Sequence, residues 1–558
     1  MLTRRARLLA CAPIFSVLAL AMTACEPSSS HTYTVDSTGD AGDRRIDGTC
    51  ATSAGECTLR AALAEDQRDE EPSTIRFDVD GSGTHTIDIG STLPALSAGN
   101  TTIDGYSQSG ASVNTAALTS NAVLRIEVRG TGSGGPEGLV VSSAGNLIRG
   151  IAFYNLRQTI RIEGSAGTDN TLAGNFLGTN AAGTFGATTF NSNAFGVVVT
   201  RSASRNRIGG SAPADRNVIS GNAGRGVLLC SPTDCTASTG ANDNVIQGNL
   251  VGLTPSGTAR RANLGHGIDV NAGSSRNRIQ SNVISGNNGS GAEVSHGTST
   301  VGNQILDNRI GTDPTGNAGP AYARNTQANV HIEDGPRDTV VSGNVIGNSA
   351  TGGIKINSLS NVAARTRIRQ NRIGISANGT VISNGPYGIQ LERGSASNPS
   401  GTTDNVIGPD NTIVGNATGI RIIDPGTVRN TITHNSIRGN TGLGIDIAPL
   451  GSVNQNDVGD ADDGPNTLLN WPALLTATNT TVAGTACGGC LVEVFVADGA
   501  ATAYGEGATF LAAAAASSAG GFTVPIPSSS SSRVVTATAT DGTGNTSEFS
   551  RNLAVPAG

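Results

Sequence analysis

The sequence has few aromatic residues and no surplus of positive charge. Phe, Trp and Tyr make up 3% of its 558 residues, and the formal net charge at pH 7 is −7. A nucleic-acid-binding surface needs basic side chains for the phosphates and often aromatic rings for the bases. The composition therefore argues against nucleic acid as a partner.

The chain also has little helical character and, beyond its first 25 residues, no apolar run long enough to cross a membrane. Hydrophobic residues do not follow the 3.6-residue spacing of an amphipathic helix, and 76 glycines would weaken helices. The length allows more than one domain. We therefore predict an all-β protein.

Two short sequence motifs alternate through the middle of the sequence and form its repeating unit. The first, Asn-Val-Ile-Ser-Gly-Asn and its looser variants, begins at Asn217, Asn282, Asn344, Asn411 and Asn435. The second, Asn-x-(Leu/Ile)-(Val/Ile)-Gly, begins at Asn249, Asn308 and Asn371, with an earlier copy at Asn175. The pair repeats about every 65 residues. A fixed period indicates a solenoid, in which each unit buries its apolar face against its neighbours.

Each motif is followed by a stretch in which apolar and polar residues alternate, as in Ile268-Asp269-Val270 and Ile354-Lys355-Ile356. This pattern predicts strands with one buried face. Equivalent strands recur after as few as about 24 residues, which suffices for three short strands and their corners. The coils would stack about 4.8 Å apart as a parallel β-helix. We interpret the recurring asparagines as a hydrogen-bonded ladder at one corner, rather than as catalytic groups.

These repeats resemble those of bacterial right-handed parallel β-helix proteins, the pectate-lyase-like superfamily. The resemblance covers about residues 140–450 and implies the fold. It implies no single activity, because the superfamily includes lyases, hydrolases, epimerases, phage tailspikes and adhesins on one scaffold.

The first 25 residues have the pattern of an export signal. Arg4, Arg5 and Arg7 precede an apolar stretch, and the segment ends at Ala24-Cys25. The sequence before Cys25 resembles a bacterial lipobox, which implies that this cysteine is acylated and anchors the chain to a membrane. We expect an exported lipoprotein at the outer membrane or cell surface. The alternative is an ordinary secretory signal without a lipid.

The remaining six cysteines fall into close pairs, which suits an exported chain. The predicted disulfides are Cys50–Cys57, Cys230–Cys235 and Cys487–Cys490. A redox or metal role for Cys487 and Cys490 is the alternative, because only two residues separate them.

The segment after the signal resembles the CSLREA module that begins many bacterial β-helix surface proteins. The resemblance rests on Cys57-Thr58-Leu59-Arg60-Ala61, where Ala61 replaces the glutamate of the motif. Residues 58–65 have helical apolar spacing. We expect a short helix and a disulfide to cover the open first coil of the solenoid.

The repeats stop after Ile447, where acidic residues become dense. Calcium is a candidate ligand here, with a plain polar linker as the alternative. The predicted ligands are Asp457, Asp460, Asp462 and Asp463. Beyond them, short alternating runs predict a β-sandwich of immunoglobulin type. The predicted parts are a signal (1–25), tether and cap (26–73), β-helix (74–450), linker (451–470) and sandwich (471–558).

Alignment of the strand endings places outward side chains in two columns along the rod. The first is Val198, Leu228, Asp269, Glu293, His331, Lys355, Gln390, Arg421 and Asp446. The second is Thr200, Cys230, Asn271, Ser295, Glu333, Asn357, Glu392, Ile423 and Ala448. Neither contains an aromatic residue, although sugar-binding grooves usually offer rings for stacking.

The polar part of these columns suggests two chemistries. Two carboxylates about 5 Å apart can hydrolyse a glycosidic bond. In the superfamily's lyases, calcium on carboxylates acidifies a uronate, and Arg or Lys removes its C5 proton. The catalytic candidates are Asp269, Glu293, His331 and Lys355, the only lysine in the chain; Glu333, Asn357 and Arg421 are binding candidates. Ordinary cross-strand pairing on a solvated sheet is the alternative.

The second motif is followed by insertions, which should project from one side of the rod and frame a binding face. They span residues 179–194, 254–265, 312–326 and 376–387. Our first hypothesis is a lipid-anchored, non-catalytic stalk or adhesin that contacts glycans or other surface partners. The second is a polysaccharide lyase or glycoside hydrolase. The sequence leaves the oligomeric state open.

Overall fold

The computed structural model describes residues 30–68, 71–132, 135–189, 191, 194–230, 240–395 and 400–558. Three parallel sheets run along a right-handed β-helix, so the predicted fold is confirmed. Each regular coil adds one strand to each sheet in turn, and strands from successive coils are hydrogen-bonded neighbours. We name the three sheets A, B and C in the order in which a coil meets them.

The strands of the three sheets are short, as the spacing of the repeats requires. Sheet A comprises His31–Val35, Ser73–Phe77, Thr102–Asp104, Leu147–Arg149, Thr171–Ala173, Arg207–Gly209, Val245–Gln247, Arg278–Gln280, Gln304–Leu306, Val340–Ser342, Arg367–Arg369, Val406–Ile407 and Thr431–Ile432. Sheet B comprises His85–Ile89, Ile126–Gly130, Ile151–Tyr154, Phe176–Leu177, Val218–Ile219, Leu250–Val251, Val283–Ile284, Arg309–Ile310, Val345–Ile346, Arg372–Ile373, Thr412–Val414 and Ser436–Arg438. Sheet C comprises Glu137–Val141, Gln158–Glu163, Phe195–Thr200, Val227–Leu229, Ile268–Asn271, Ala292–Ser295, Val330–Glu333, Ile354–Asn357, Ile389–Glu392, Ile420–Ile422 and Ile445–Ile447.

Apolar side chains fill the inside of the coils and form one continuous core. Inward positions pair with inward positions of the next coil, as Ile279 of sheet A pairs with Ile305. Both are buried, as are most of the Ile and Val residues at such positions. Full burial of one such side chain stabilises the fold by about 1.5–3 kcal/mol. The repeated pattern therefore supplies a driving force in every coil.

The predicted asparagine ladder lies at the corner between sheets A and B. Asn249 donates both its backbone N–H and its Nδ2 to Asn282 Oδ1, at 2.9 and 3.0 Å. Asn282 repeats both bonds to Asn308. The ladder consists of Asn175, Asn217, Asn249, Asn282, Asn308, Asn344, Asn371, Asn411 and Asn435. It satisfies corner N–H groups that the sheets leave unpaired.

Two further ladders were not predicted. One precedes sheet A and includes Asn146, Asn170, Asn206, Asn244, Asn277 and Asn303. The other follows sheet B and includes Asn222, Asn263, Asn287 and Asn325, then Asn384, Asn416 and Asn440. All three corners of the rod are thus held by stacked amides.

Exposed ion pairs also join coils at the corner before sheet A. Arg276 donates to both carboxylate oxygens of Asp243, each at 2.8 Å. The same two-bond arrangement links Arg205 with Asp169, Arg365 with Asp338, and Arg429 with Asp404. These pairs are solvated, so each contributes little to stability.

A short helix, Leu59–Asp66, covers the start of the rod. Thr58 begins it, because its hydroxyl accepts the Ala61 N–H at 3.0 Å. Leu59 and Leu63 are buried in the core. A disulfide joins Cys50 to Cys57 just before the helix. The predicted helix and this disulfide are both present.

The C-terminal part contains two antiparallel sheets that face each other across their own core. One sheet comprises Ala473–Ala477, Thr481–Thr485 and Gly521–Pro525. The other comprises Leu491–Asp498, Glu506–Ala515, Arg533–Thr540 and Leu553–Val555. The alanine run at 512–515 lies in a strand, although alanine favours helices. A disulfide joins Cys487 to Cys490.

This sandwich closes the last coil with three buried glutamates. Glu493 accepts the backbone N–H of His434 at 3.1 Å, and Glu506 accepts that of Asn440 at 3.0 Å. Glu548 accepts the N–H of Ile447 at 2.9 Å. The carboxylates thereby pair edge N–H groups that a further coil would otherwise have satisfied, one near the end of each sheet.

Two predictions fall on residues that the structure does not describe. Cys25 and the rest of the signal lie outside the described residues, and so does Cys235, the predicted partner of Cys230. Within the described residues, no helix is both long enough and apolar enough to span a membrane.

Candidate functional site

The outward face of sheet C carries the predicted column in successive rungs. Asp269 pairs with Glu293, Glu293 with His331, and His331 with Lys355 in the strand register. The column continues through Gln390, Arg421 and Asp446. The predicted stacking of these side chains is therefore confirmed. We call the face from Asp269 to Asp446 the sheet C strip.

One end of the strip is covered, contrary to the expectation of a solvated face. Asp269 is 0% exposed and Glu293 is 4% exposed. Arg225, which comes from the turn before the preceding sheet C strand, places Nε 2.7 Å from Asp269 Oδ2. Asp269 also accepts a hydrogen bond from Ser295 at 3.3 Å. Asp269 is thus a paired, internal carboxylate.

Glu293 lies between two histidines. Its Oε2 is 3.1 Å from Nδ1 of His266 and 3.3 Å from Nδ1 of His331. His266 occupies the same place before its strand as Arg225 does one coil earlier. His331 is mostly buried, with its side chain 13% exposed.

The other nitrogen of His331 also faces oxygen atoms. Its Nε2 lies 2.8 Å from Asn357 Oδ1 and 3.8 Å from Glu333 Oε1. Asn357 Nδ2 donates to Glu333 Oε1 at 3.3 Å, which turns the amide oxygen towards the imidazole. One ligand atom each from Glu293, His331 and Glu333 lie within 4.8 Å of one another, so the three could hold a metal ion.

The burial and pairing of these groups shift their pKa values in different directions. Burial raises the pKa of Asp269, and this outweighs the opposing field of Arg225. Burial acts in the same direction on Glu293, but the hydrogen bond with His331 and the charge of His266 lower its pKa to about 2. Burial lowers the pKa of His331, yet Glu293 and Glu333 raise it overall. A protonated His331 beside an ionised Glu293 is the favoured combination.

Lys355 lies at the next rung and is held by a carboxylate. Its Nζ is 2.8 Å from Glu392 Oε1, and Gln390 Nε2 donates to Glu392 Oε2 at 2.6 Å. The side chain of Lys355 is 28% exposed and that of Glu392 is 16% exposed. This group is therefore within reach of a ligand.

The strip ends in a shallow groove of about 320 Å³ beside Arg421 and Asp446. The Arg421 guanidinium lies 5.8 Å from the ring centroid of Tyr387 and donates to Thr418 Oγ1 at 3.2 Å. Burial raises the pKa of Tyr387 to about 12, so its hydroxyl stays protonated. Tyr387 is only 6% exposed, so it supports Arg421 and offers no ring face to a sugar.

All four insertions follow strands of sheet B and precede strands of sheet C, so they lie on one side of the rod. The third and fourth insertions contact each other, since Ala377 N–H bonds to Gly316 O at 2.9 Å. The predicted one-sided row of insertions is therefore present, and its last three members lie beside the candidate residues.

The residues at the edge of sheet C nearest the insertions were not among the predicted site residues. A glycine precedes each of four sheet C strands, and the residues immediately before these glycines are Arg225, His266, Tyr387 and Thr418. They therefore form a third column in the alignment of the repeats. This column is visible in the sequence and could have pointed to these residues. Which side chains of the neighbouring coil they contact depends on side-chain conformation.

The acidic segment near the sandwich brings together three of its four predicted ligands. One oxygen each from Asp457, Asp460 and Asp462 lie within 4.8 Å of one another, and Asp463 is not part of this group. Backbone N–H groups already bond to Asp457, from Ala461 at 2.9 Å, and to Asp460, from Asn470 at 2.8 Å. Burial raises the pKa of Asp460, and the neighbouring Asp457 raises it further.

No protein-family model and no curated protein matches the chain. Among solved structures, a mutant of the periplasmic alginate epimerase AlgG is 11% identical, over 68% of this chain and 74% of that one, with a TM-score of 0.36. The mannuronan C-5 epimerase AlgE4 A-module of Azotobacter vinelandii is 15% identical, over 68% and 90%, with a TM-score of 0.34. PfbA, a surface adhesin of Streptococcus pneumoniae, is 13% identical, over 72% and 89%, with a TM-score of 0.34.

Proposed function

We propose that this chain is an extracytoplasmic β-helix that binds a polysaccharide along the sheet C strip between His331 and Arg421, without cleaving it. The observation that carries the proposal is the internal pairing of the strip's charges. Asp269 pairs with Arg225, Glu293 with His331, and Lys355 with Glu392. Each of these acids and bases has a charged partner, and Lys355 and Glu392 are partly exposed.

The partly exposed rungs suit a hydroxyl-rich ligand. Glu333, Lys355 and Glu392 present donors and acceptors in alternation along a straight face, with Arg421 at one end. Rungs lie about 4.8 Å apart. A sugar chain lying along the rod would meet one new polar group at nearly every step. Ligand hydroxyls would bond to groups whose geometry is already fixed by their partners, which lowers the entropic cost of binding.

A polysaccharide lyase or hydrolase is the second candidate. It is favoured by the partial exposure of Lys355 and Glu392, which could act as base and acid on a bound sugar. It is disfavoured by the burial of Asp269 and Glu293, because a substrate cannot reach carboxylates with 0% and 4% exposure. Catalysis by that pair would require Arg225 and His266 to move aside.

The two functions are separated by incubating the full chain with a panel of neutral and acidic polysaccharides, with and without calcium. Binding is measured by interferometry, and cleavage is measured as new reducing ends and as absorbance of unsaturated uronates. The proposal expects binding to at least one polysaccharide with no cleavage, and weaker binding by Lys355→Ala. Cleavage that is lost in Lys355→Ala would establish the enzyme instead.

We further propose that the chain is exported and attached to the outer membrane or cell surface through a lipid on Cys25. The lipobox-like sequence and the disulfides Cys50–Cys57 and Cys487–Cys490 support this, since disulfides persist outside the cytoplasm. Metabolic labelling with a palmitate analogue tests it. Label should enter the wild type and not Cys25→Ser.

Calcium at Asp457, Asp460 and Asp462 stays a prediction of the sequence pattern. Isothermal titration of the chain with calcium tests it. Asp457→Asn should weaken any binding that the segment provides.

A further inference from the structure

We propose that Glu293, His331 and Glu333, with the amide oxygen of Asn357, form a binding site for a divalent transition-metal ion such as zinc. The site lies within the sheet C strip, but its evidence is independent of glycan binding. It differs from the predicted calcium ligands because it contains an imidazole nitrogen. Imidazole and carboxylate together favour zinc and its neighbours over calcium.

The fold alone brings the four side chains together. Glu293 and His331 are paired across sheet C, and Glu333 and Asn357 are paired two residues further along their strands. His331 and Glu333 share a strand and point to the same face, because side chains alternate along a strand. The four groups therefore stand at neighbouring positions on three consecutive rungs.

The spacing of the donor atoms suits one ion. Ligands that bind zinc at about 2.0–2.2 Å in a tetrahedral arrangement lie roughly 3–3.5 Å from one another. Here His331 Nε2 is 2.8 Å from Asn357 Oδ1 and 3.8 Å from Glu333 Oε1. The ligand atoms of Glu293, His331 and Glu333 all lie within 4.8 Å. Binding of an ion would have to draw these atoms together to coordination distance.

Oxygen atoms crowd both nitrogens of His331. Nδ1 faces the Glu293 carboxylate at 3.3 Å, and Nε2 faces the Asn357 carbonyl oxygen. A neutral imidazole carries one N–H, so it can satisfy only one of these oxygens. One ring nitrogen can therefore donate its N–H to the oxygen it faces, while the lone pair of the other binds an ion.

His266 places a second imidazole against the same carboxylate. Its Nδ1 lies 3.1 Å from Glu293 Oε2 and 3.0 Å from the Ser290 backbone nitrogen. Glu293, which is 4% exposed, is therefore flanked by two histidines at the buried side of the proposed site.

Access and retention also fit a metal site. Glu293 is nearly fully buried and His331 is 13% exposed, whereas Glu333 is 20% exposed. The ion would enter past Glu333 and be bound by Glu293 on the side facing away from solvent. A fifth position towards solvent would be available to water or to an oxygen atom of a ligand.

Titration of the full chain, produced without a histidine tag, with zinc chloride tests the proposal. We expect one bound zinc, a melting temperature that rises with zinc, and at least tenfold weaker binding in Glu333→Gln and His331→Gln. Glu163→Gln is the control, since Glu163 lies on the same sheet but pairs with Arg161 and Arg201. It should bind zinc as the wild type does.

Three results would overturn the site: no zinc binding by the wild type, equal binding by Glu333→Gln and the wild type, or displacement of zinc by equimolar calcium. Glu333→Gln is the decisive variant, because its partly exposed side chain can be changed without opening the core. Its melting temperature without zinc shows that the chain is folded. Failure here leaves polysaccharide binding untouched, since that assay contains no added zinc.

Discussion

Arg225 reaches from one coil to the next and pairs with Asp269, Nε to Oδ2 at 2.7 Å, where Asp269 has no exposed surface. Arg225 thereby pairs with a candidate catalytic carboxylate that solvent does not reach. The pair also stabilises the coil, because a buried carboxylate without a partner is costly.

Replacement of Arg225 should therefore destabilise the rod strongly. Loss of one partner of a buried ion pair typically costs about 3–5 kcal/mol. Arg276→Ala, which breaks the exposed pair with Asp243, should cost less than about 1 kcal/mol. Chemical denaturation followed by circular dichroism measures both. Equal losses would mean that Asp269 does not depend on Arg225.

Loss of one amide from the asparagine ladder between sheets A and B should lower the stability of the fold. Asn282→Ala removes the oxygen that accepts the Asn249 N–H and Nδ2, and the donor to Ile246 O. Each buried group left without a partner costs about 1–3 kcal/mol. Asn317→Ala, at an exposed turn of an insertion, is the matched control and should be nearly neutral. Denaturant midpoints of the two variants give the comparison; similar midpoints would count against a structural role for the ladder.

The rungs of sheet C could be predicted from the sequence because they depend on a two-residue alternation and a repeat length. Asp269, Glu293, His331 and Lys355 stack in the predicted order for that reason. A shift of one residue would turn every apolar side chain outwards, so the register is strongly determined. Burial of the core fixes it in each coil.

The environment of the candidate site could not be predicted in the same way. Burial of Asp269 and Glu293 results from long side chains, Arg225 and His266, that fold over the neighbouring rung. Their place before the strand is visible in the repeats, but the direction of each side chain depends on packing in three dimensions. The contacts of Glu548 and Glu506 with the last coil depend on how a second fold docks, which no repeat encodes.

The closure of the last coil should weaken as the pH rises. Burial raises the pKa of Glu506 and that of Glu548 from 4.5 to about 7, despite the N–H groups that bond to them. Between pH 4.5 and 7 the folded state then binds more protons than the unfolded state. The contribution of these two groups to stability is therefore greatest below pH 4.5 and falls as the pH approaches 7, by on the order of 3 kcal/mol per group at most.

Glu548→Gln isolates this effect, since glutamine does not titrate. The difference in unfolding free energy between wild type and variant should shift in favour of the variant from pH 5 to pH 8. Thermal unfolding at a series of pH values measures it. A difference that stays constant over this range would show that Glu548 is ionised throughout.

Affinity for a polysaccharide identified in the panel tests the central claim, that the sheet C strip is the binding face, most directly. The measurement compares wild type, the double variant Lys355→Ala/Arg421→Ala, and Arg278→Ala, whose exposed side chain lies on sheet A. The account predicts at least tenfold weaker binding for the double variant and unchanged binding for Arg278→Ala, with all three chains folded. Unchanged affinity in the double variant, or an equal loss in Arg278→Ala, would contradict it.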